Sequence, residues 1–464
     1  MNDELPQGWT TATLDEIAEI NPRHPVNLDA ALPVTFVPMP AVSENNWAFQ
    51  FTEERPLGKV RKGYTHFAEG DVLFAKITPC MENGKTAVAA GLKNGLGCGS
   101  TELHVLRPRG GIEPKFIYHF LHQESFRQEA ARNFTGTAGQ LRVPVSFIRE
   151  STIPLPPLDE QRRIVAKLEK LLDKVNVSQK RLARTPILLK RFRQSVLAAA
   201  CSGSLTDDWR EQHPDMTPVE LIGKGVPPED MDIPVTWNWL LSEHAFSFVT
   251  SGSRGWARYY SDDGALFIRV GNLNHDAIEL DLKSIQRVSP PENTEGLRTR
   301  VQEGDILISI TADVGMVALA GHSLKETYIN QHVALARPID NIDKRYLAYF
   351  LSAKNGGQRQ FLNLQRGATK VGLGLDDIRS IWIAHPPLPE QQEIVRRVEA
   401  LFAVADKIEA RYMKANAQVD KLTQSILAKA FRGELVPQDP NDEPASVILE
   451  RIGASKNSQK VSRY

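Results

Sequence analysis

Only three cysteines occur in 464 residues, and Cys80, Cys98 and Cys201 stand in no C-x-x-C spacing, which excludes a disulfide framework and a thiolate zinc site. No apolar run approaches the length of a membrane span, and the opening Met1-Asn2-Asp3-Glu4 is acidic where a secretory leader is basic. The expected setting is the cytoplasm, with reduced thiols and no membrane partner. Excess charge is missing as well: 56 Lys and Arg balance 56 Asp and Glu. A grip on nucleic acid by the whole chain is thereby excluded, so that any hold on DNA must come from local stripes or from partners. Catalytic signatures are also absent. There is no Walker loop, no H-E-x-x-H and no G-x-S-x-G, and Gly252 and Gly255 lie in no nucleotide-binding context. Ser289-Pro290-Pro291-Glu292 lacks the aromatic with which an adenine methyltransferase motif stacks a flipped base. The chain reads as a binder with no cofactor, metal or catalytic residue of its own.

What is present is present twice. Pro154-Leu155-Pro156-Pro157-Leu158-Asp159-Glu160-Gln161 returns as His385-Pro386-Pro387-Leu388-Pro389-Glu390-Gln391, and Gln194-Ser195-Val196-Leu197-Ala198 returns as Gln424-Ser425-Ile426-Leu427-Ala428. Both copies carry a heptad seam. In the first it runs through Ile164, Leu168, Leu171, Val175, Leu182, Leu189, Phe192 and Val196, with Ser178 and Thr185 as weak points and Pro186 expected to kink the helix. In the second it runs through Ile394, Val398, Leu401, Ile408, Val419, Leu422 and Ile426. Each seam implies a rod of roughly 48 Å at 1.5 Å per residue. Two matching rods in one chain suggest that they pair with each other.

The segments around the rods repeat in order too. Strand-like runs at 34–37, 69–75, 86–89 and 103–106 return at 266–270, 303–309, 316–319 and 333–338, and each set turns helical, near 114–132 and 343–362. This divides the chain into a globular domain at 1–153, a helix at 154–205, a connector at 206–232, a second domain at 233–384, a second helix at 385–435 and a polar tail at 436–464. In that tail a short helix is expected at 445–452 and disorder beyond Lys456. The Glu-Gly-Asp of each domain reads as a structural turn.

Basic residues gather where acids are sparse. Lys59, Arg61 and Lys62 form one stripe; Arg132 and Arg142 flank a Gly-containing loop, and Arg366 and Lys370 flank Gly367-Ala368-Thr369 at the matching place. Such loops suit phosphate contact and close backbone approach. A second candidate surface is the turn between strands in each half: Lys76, Thr78, Asn83 and Lys85 in one, Thr311 and Asp313 in the other. Arg254, Arg258, Arg269 and Asn272 complete the set of candidate DNA-binding residues. Solvated loops without a role would carry the same residue types.

The doubled Pro-Leu-x-Glu-Gln-x-x-Ile-Val helix start, the Gln-Ser-(Val/Ile)-Leu-Ala helix ends, and Gly203-Ser204-Leu205 with Gly433-Glu434-Leu435 together resemble the specificity subunits of type I DNA restriction-modification enzymes. The resemblance covers nearly the whole chain. It implies an α+β fold with two globular α/β target-recognition domains alternating with two long helices that pair as an antiparallel coiled coil, in a pseudo-two-fold internal repeat. Each domain would read half of a split, asymmetric double-stranded DNA target. The helices would set the spacing and dock modification (methyltransferase) subunits, two of them, joined by a restriction and translocase subunit. S-adenosylmethionine, ATP and Mg would be bound by those partners. Two other readings stand beside this one: a coiled-coil scaffold whose domains bind proteins, and a self-contained methyltransferase, which lacks the motifs it needs.

Overall fold

A computed structural model of the chain describes residues 5–461, apart from 138–139, 230, 291–293, 323 and 366–371. The chain divides into two compact units, one made of the residues up to Leu182 with those from Lys414 on, the other of Ala183–Met413.

In the first unit, an antiparallel sheet orders Ala18–Ile20, Leu103–Pro108, Val72–Ala75 and Thr86–Val88. A second sheet orders Glu53–Pro56, Pro33–Val37, Leu96–Gly99 and Thr65–Ala68, its two central strands parallel. The strand Val72–Ala75 is buried on both faces: its two-residue period sends Val72 and Phe74 into a core with Phe116 and Ile117, and Leu73 and Ala75 into another with Val37 and Phe67. Each large apolar side chain so buried contributes about 1.5–3 kcal/mol. Thr10–Thr13 pairs with Thr152–Leu155 and ties the start of the domain to its end.

The second unit repeats this plan. Its first sheet orders Phe246–Ser251, Val333–Pro338, Ile306–Ser309 and Val317–Leu319, and Asn238–Leu241 pairs with Trp382–His385. The second sheet departs from the repeat. Tyr260–Ser261 is added beyond Gln286–Val288, and the counterpart of Thr65–Ala68 shrinks to one bridge between Arg300 and Tyr328. The Glu-Gly-Asp turns match closely. Gly70 and Gly304 both hold φ +82°, Asp71 accepts from the Ala68 N–H at 2.7 Å and Asp305 from the Gln302 N–H at 2.7 Å. Arg107 and Arg337 each add a two-pronged contact to the buried acid at 2.7–2.9 Å.

The first long helix is two helices, Leu158–Leu182 and Thr185–Ser202, broken at Ala183-Arg184. Pro186 opens the second piece, where its missing N–H has no partner to lose. Leu388–Phe431 runs unbroken for 44 residues. Gln179 meets Asp420 at 3.3 Å, and Arg193 meets Asp406 and Glu409 at 2.7 and 2.8 Å. As one helix advances its partner residues step back, so the pairing is antiparallel. Ile164, Leu168, Val175, Leu189, Val196, Ile394, Val398 and Ile426 are buried, while Leu171, Leu182, Leu401 and Val419 are half-buried. Phe192, Ile408 and Leu422 correct the expected seam, being exposed. Two helices cover one another along a narrow stripe, and burial is complete only where a domain core adds a third surface.

The duplicated Glu-Gln has a structural cause. Glu160, 1% exposed, accepts from the Trp9 indole at 3.0 Å, and Glu390, equally buried, accepts from that of Trp237 at 2.8 Å. Gln161 and Gln391 accept from the Glu113 and Asp343 N–H groups, at 2.9 and 2.8 Å, and each donates back to a proline carbonyl just before its own helix. The dipeptide therefore fastens each long helix to both the opening and the following helix of its domain. Gly203 and Gly433, at φ +80° and +74°, close their helices against Pro234 and Pro6. A Cβ there would sit 2.4 and 2.3 Å from the proline ring.

The tail differs from expectation. Ala445–Val461 is helical, and Ala445, Ile448 and Ile452 are buried in the first unit's core, with the Ala445 N–H on the Gly8 carbonyl at 2.9 Å. A spacing of three and four residues puts these apolar positions on one face, so an otherwise polar segment is retained by a single stripe. The helix extends beyond the expected 445–452, and residues 462–464 lie outside the described residues. The expected connector is docked as well: Arg210 pairs with Glu390, Arg397 pairs with Asp208, and Ile222 bridges to Leu240.

Candidate nucleic-acid interface

Lys59, Lys62, Arg132, Arg254 and Arg258 are exposed, and Arg258 lies 4.8 Å from the Tyr259 ring centroid. Other sequence candidates are committed elsewhere. Arg61 donates to the carbonyls of Val26 and Leu28 at 3.1 and 2.7 Å, so it pins a loop instead of projecting a charge. Arg142 grips Glu102 with two hydrogen bonds, at 2.9 and 2.8 Å, and those bonds hold the Glu102 carboxyl below the usual carboxylate range. Asn272 is 3% exposed and spends its amide on the backbone of Arg269, Asp281 and Ser284. All three make structural contacts in this fold; charge and amide content in a sequence do not reveal which groups the fold has already paired. Arg366 and Lys370 lie outside the described residues.

The two inter-strand turns differ in how they are held. In the first unit Thr78 and Lys76 are half-buried, Thr78 donating its N–H to Leu141; Lys85 is also half-buried, and Asn83 donates to Glu44 at 3.1 Å. In the second, Asp313 is engaged by His275 at 2.8 Å, whose other ring nitrogen meets the Gln358 amide at 2.8 Å. Thr311 meets His332 at 2.5 Å, and Ala312 between them holds φ +66°. A non-glycine residue there carries strain of about 1–2 kcal/mol.

Beside that turn, Arg269, Val270, Gly271, Asn272, Ser284, Ala312, Asn330 and His332 line a recess of about 410 Å³. No acid lines it. Sequence reasoning missed Asn330 and His332. The signal that could have found them is the 230-residue offset, which sets Asn330-Gln331-His332 against Ser100-Thr101-Glu102. The fold supports this equivalence: the Asn330 N–H reaches the Ile268 carbonyl as that of Ser100 reaches Val37, and the His332 N–H reaches the Asn330 side chain as that of Glu102 reaches Ser100. Among the described residues no cluster of His, Cys, Asp and Glu could hold a metal, and no helix is long and apolar enough to cross a membrane.

The sequence profile of the family described as type I restriction modification DNA specificity domain matches residues 6–184 and 272–415. The type I restriction enzyme StySPI specificity subunit of Salmonella potsdam is 33% identical over 77% of this chain and 76% of its own length. The EcoEI specificity subunit of Escherichia coli is 27% identical over 91% of this chain and 83% of its own. A solved structure concerned with complex assembly and conformational transition of the type I R-M system contains a chain of the same fold. The TM-score is 0.69 at 23% identity, covering 93% of this chain and 99% of that one.

Proposed function

The chain belongs to the type I restriction-modification DNA specificity family, and from that premise we propose that each of its two units reads one half of a bipartite, asymmetric DNA target. The paired helices set the distance between the half-sites and dock two methyltransferase subunits. A restriction and translocase subunit completes the complex. Chemistry resides in those partners, which bind S-adenosylmethionine, ATP and Mg, and this chain contributes selection without catalysis. The observation that carries the reading is one scaffold built twice with different side chains at its rims. Tryptophan clamp, glutamine cap and arginine-locked turn recur in both units, whereas the first unit has Ser100 and Glu102 at the positions where the second has Asn330 and His332. A repeated frame with unlike rims suits two readers of unlike sequences. Cations left exposed at Lys59, Lys62, Arg132, Arg254 and Arg258 would meet phosphates, and partner subunits would supply the remaining positive charge.

Reconstitution with methyltransferase subunits tests this. The purified chain alone is expected to transfer no methyl groups, and the complex is expected to methylate adenines within a motif of two defined blocks separated by unread positions. Methyl transfer by the chain alone, or a single contiguous motif, would contradict the reading. Absence of any salt-sensitive DNA binding in the complex would favour the scaffold instead.

A further inference from the structure

We propose that the recess between Arg269, Asn330 and His332 is a specificity-determining site of the second unit that takes the acceptor edge of a guanine. This rests on the DNA-reading function proposed above. Asn330 forms its floor. It is 6% exposed, its side-chain oxygen accepts from the His332 N–H at 3.0 Å, and among the described residues its amide nitrogen finds no acceptor. An amide nitrogen that lines a recess and is not spent on the fold is a donor available to a ligand. Arg269 follows Ile268, whose carbonyl receives the Asn330 N–H, so the two backbones run side by side and both residues line the recess. Among the described residues Arg269 has no ion pair, and its side chain makes no hydrogen bond. His332 is held by Thr311 on one ring nitrogen and meets the Gln331 amide on the other at 2.9 Å, which keeps the wall in place. The mouth is open: a Cβ built on Gly271 would meet nothing within 4 Å. The strained Ala312 backbone stands at the rim, where strain is retained when the surrounding structure over-determines it.

The chemistry selects the ligand. The Arg269 guanidinium and the Asn330 amide are the donors of this lining, and among the described residues no carboxylate opposes them, so a base presenting acceptors is favoured. Guanine offers N7 and O6 side by side in the major groove, matching two guanidinium N–H groups. Adenine would turn its amino group toward the arginine, and thymine offers a single acceptor. A phosphate would satisfy the charge as well, and the salt slope measured below separates the two. The first unit lacks the device. Pro38 stands where the second unit has Arg269, Ser100 replaces Asn330, and Glu102, already paired with Arg142, replaces His332. The guanine contact therefore belongs to one half-site only.

The test uses the full complex with its methyltransferase subunits and reads the methylated motif by long-read sequencing, with binding measured across a salt series. Arg269→Ala is expected to relax one guanine in one half-site roughly 10- to 100-fold, leaving the other half-site and the salt slope unchanged. Asn330→Ser keeps the acceptor that holds His332, as Ser100 does, and is expected to weaken the same position. An unaltered motif in both variants, with a specific wild type, would overturn this site alone. So would equal weakening on all sequences with a shallower salt slope, the mark of a phosphate contact. A wild-type complex without sequence preference would overturn the function and this site together.

Discussion

Adding one heptad to each long helix, at the level where Gln179 meets Asp420, is expected to leave both half-sites as they are and to lengthen the unread spacer by up to about three base pairs. Seven residues extend a helix by roughly 10 Å, and B-DNA rises about 3.4 Å per pair. A whole heptad returns each seam residue to the face it left, so Val175 and Val419 keep covered positions and the pair still folds. Three pairs is an upper limit, because the helices need not run along the DNA axis. An insertion of two residues, which turns the seam by about 200°, is expected to abolish assembly. Mapping methylated sites distinguishes these outcomes. An unchanged spacer with full activity would mean that the helices do not set the distance.

Removing the buried carboxylate of Glu390 is expected to be among the most damaging single changes in the chain. One of its oxygens accepts from Trp237 at 2.8 Å; the other accepts from Thr206 at 2.7 Å and pairs with Arg210. Glu390→Ala takes the acceptor from three donors, one of them charged, leaving the Trp237 indole unpaired while Thr206 and Arg210 keep the Gly203 carbonyl, and breaking such a buried pair costs about 3–5 kcal/mol. For a unit of this size that is roughly 10 °C in thermal midpoint. Glu160 is the milder case. Its partners are neutral, Trp9 at 3.0 Å and Gln438 at 3.3 Å, burial pushes its carboxyl up, and Arg163 is spent on Asp442. Glu160→Ala is therefore expected to cost about 1–3 kcal/mol. Thermal unfolding of both variants checks the difference; equal losses below about 0.5 kcal/mol would show that the clamps are ornamental.

The duplicated helices, the order of strands within each half and the break before Pro186 could all be read from the sequence, because periodicity, repetition and a missing N–H act locally. The reason for Glu-Gln could not: Glu160 and Trp9 are 151 positions apart, and only the folded chain brings them together. The site was legible in part. Arg269 was named from its residue type and lines the recess, yet its floor, Asn330, escaped notice because an Asn after a strand resembles any turn residue. Arg61, Arg142 and Asn272 show the opposite limit, since each spends side-chain hydrogen bonds on partners inside the fold that residue type alone does not reveal. The tail carried an apolar stripe at Ala445, Ile448 and Ile452, but overall polarity outweighed it.

The most direct test of the account is an exchange of residues 1–153 for the equivalent domain of a relative with a different target, followed by sequencing of methylated adenines in cells carrying the hybrid. One block of the motif is expected to become that of the donor, while the other block and the spacer stay as in the parent. A hybrid that folds, methylates and alters both blocks, or neither, would contradict the claim that each unit reads its own half.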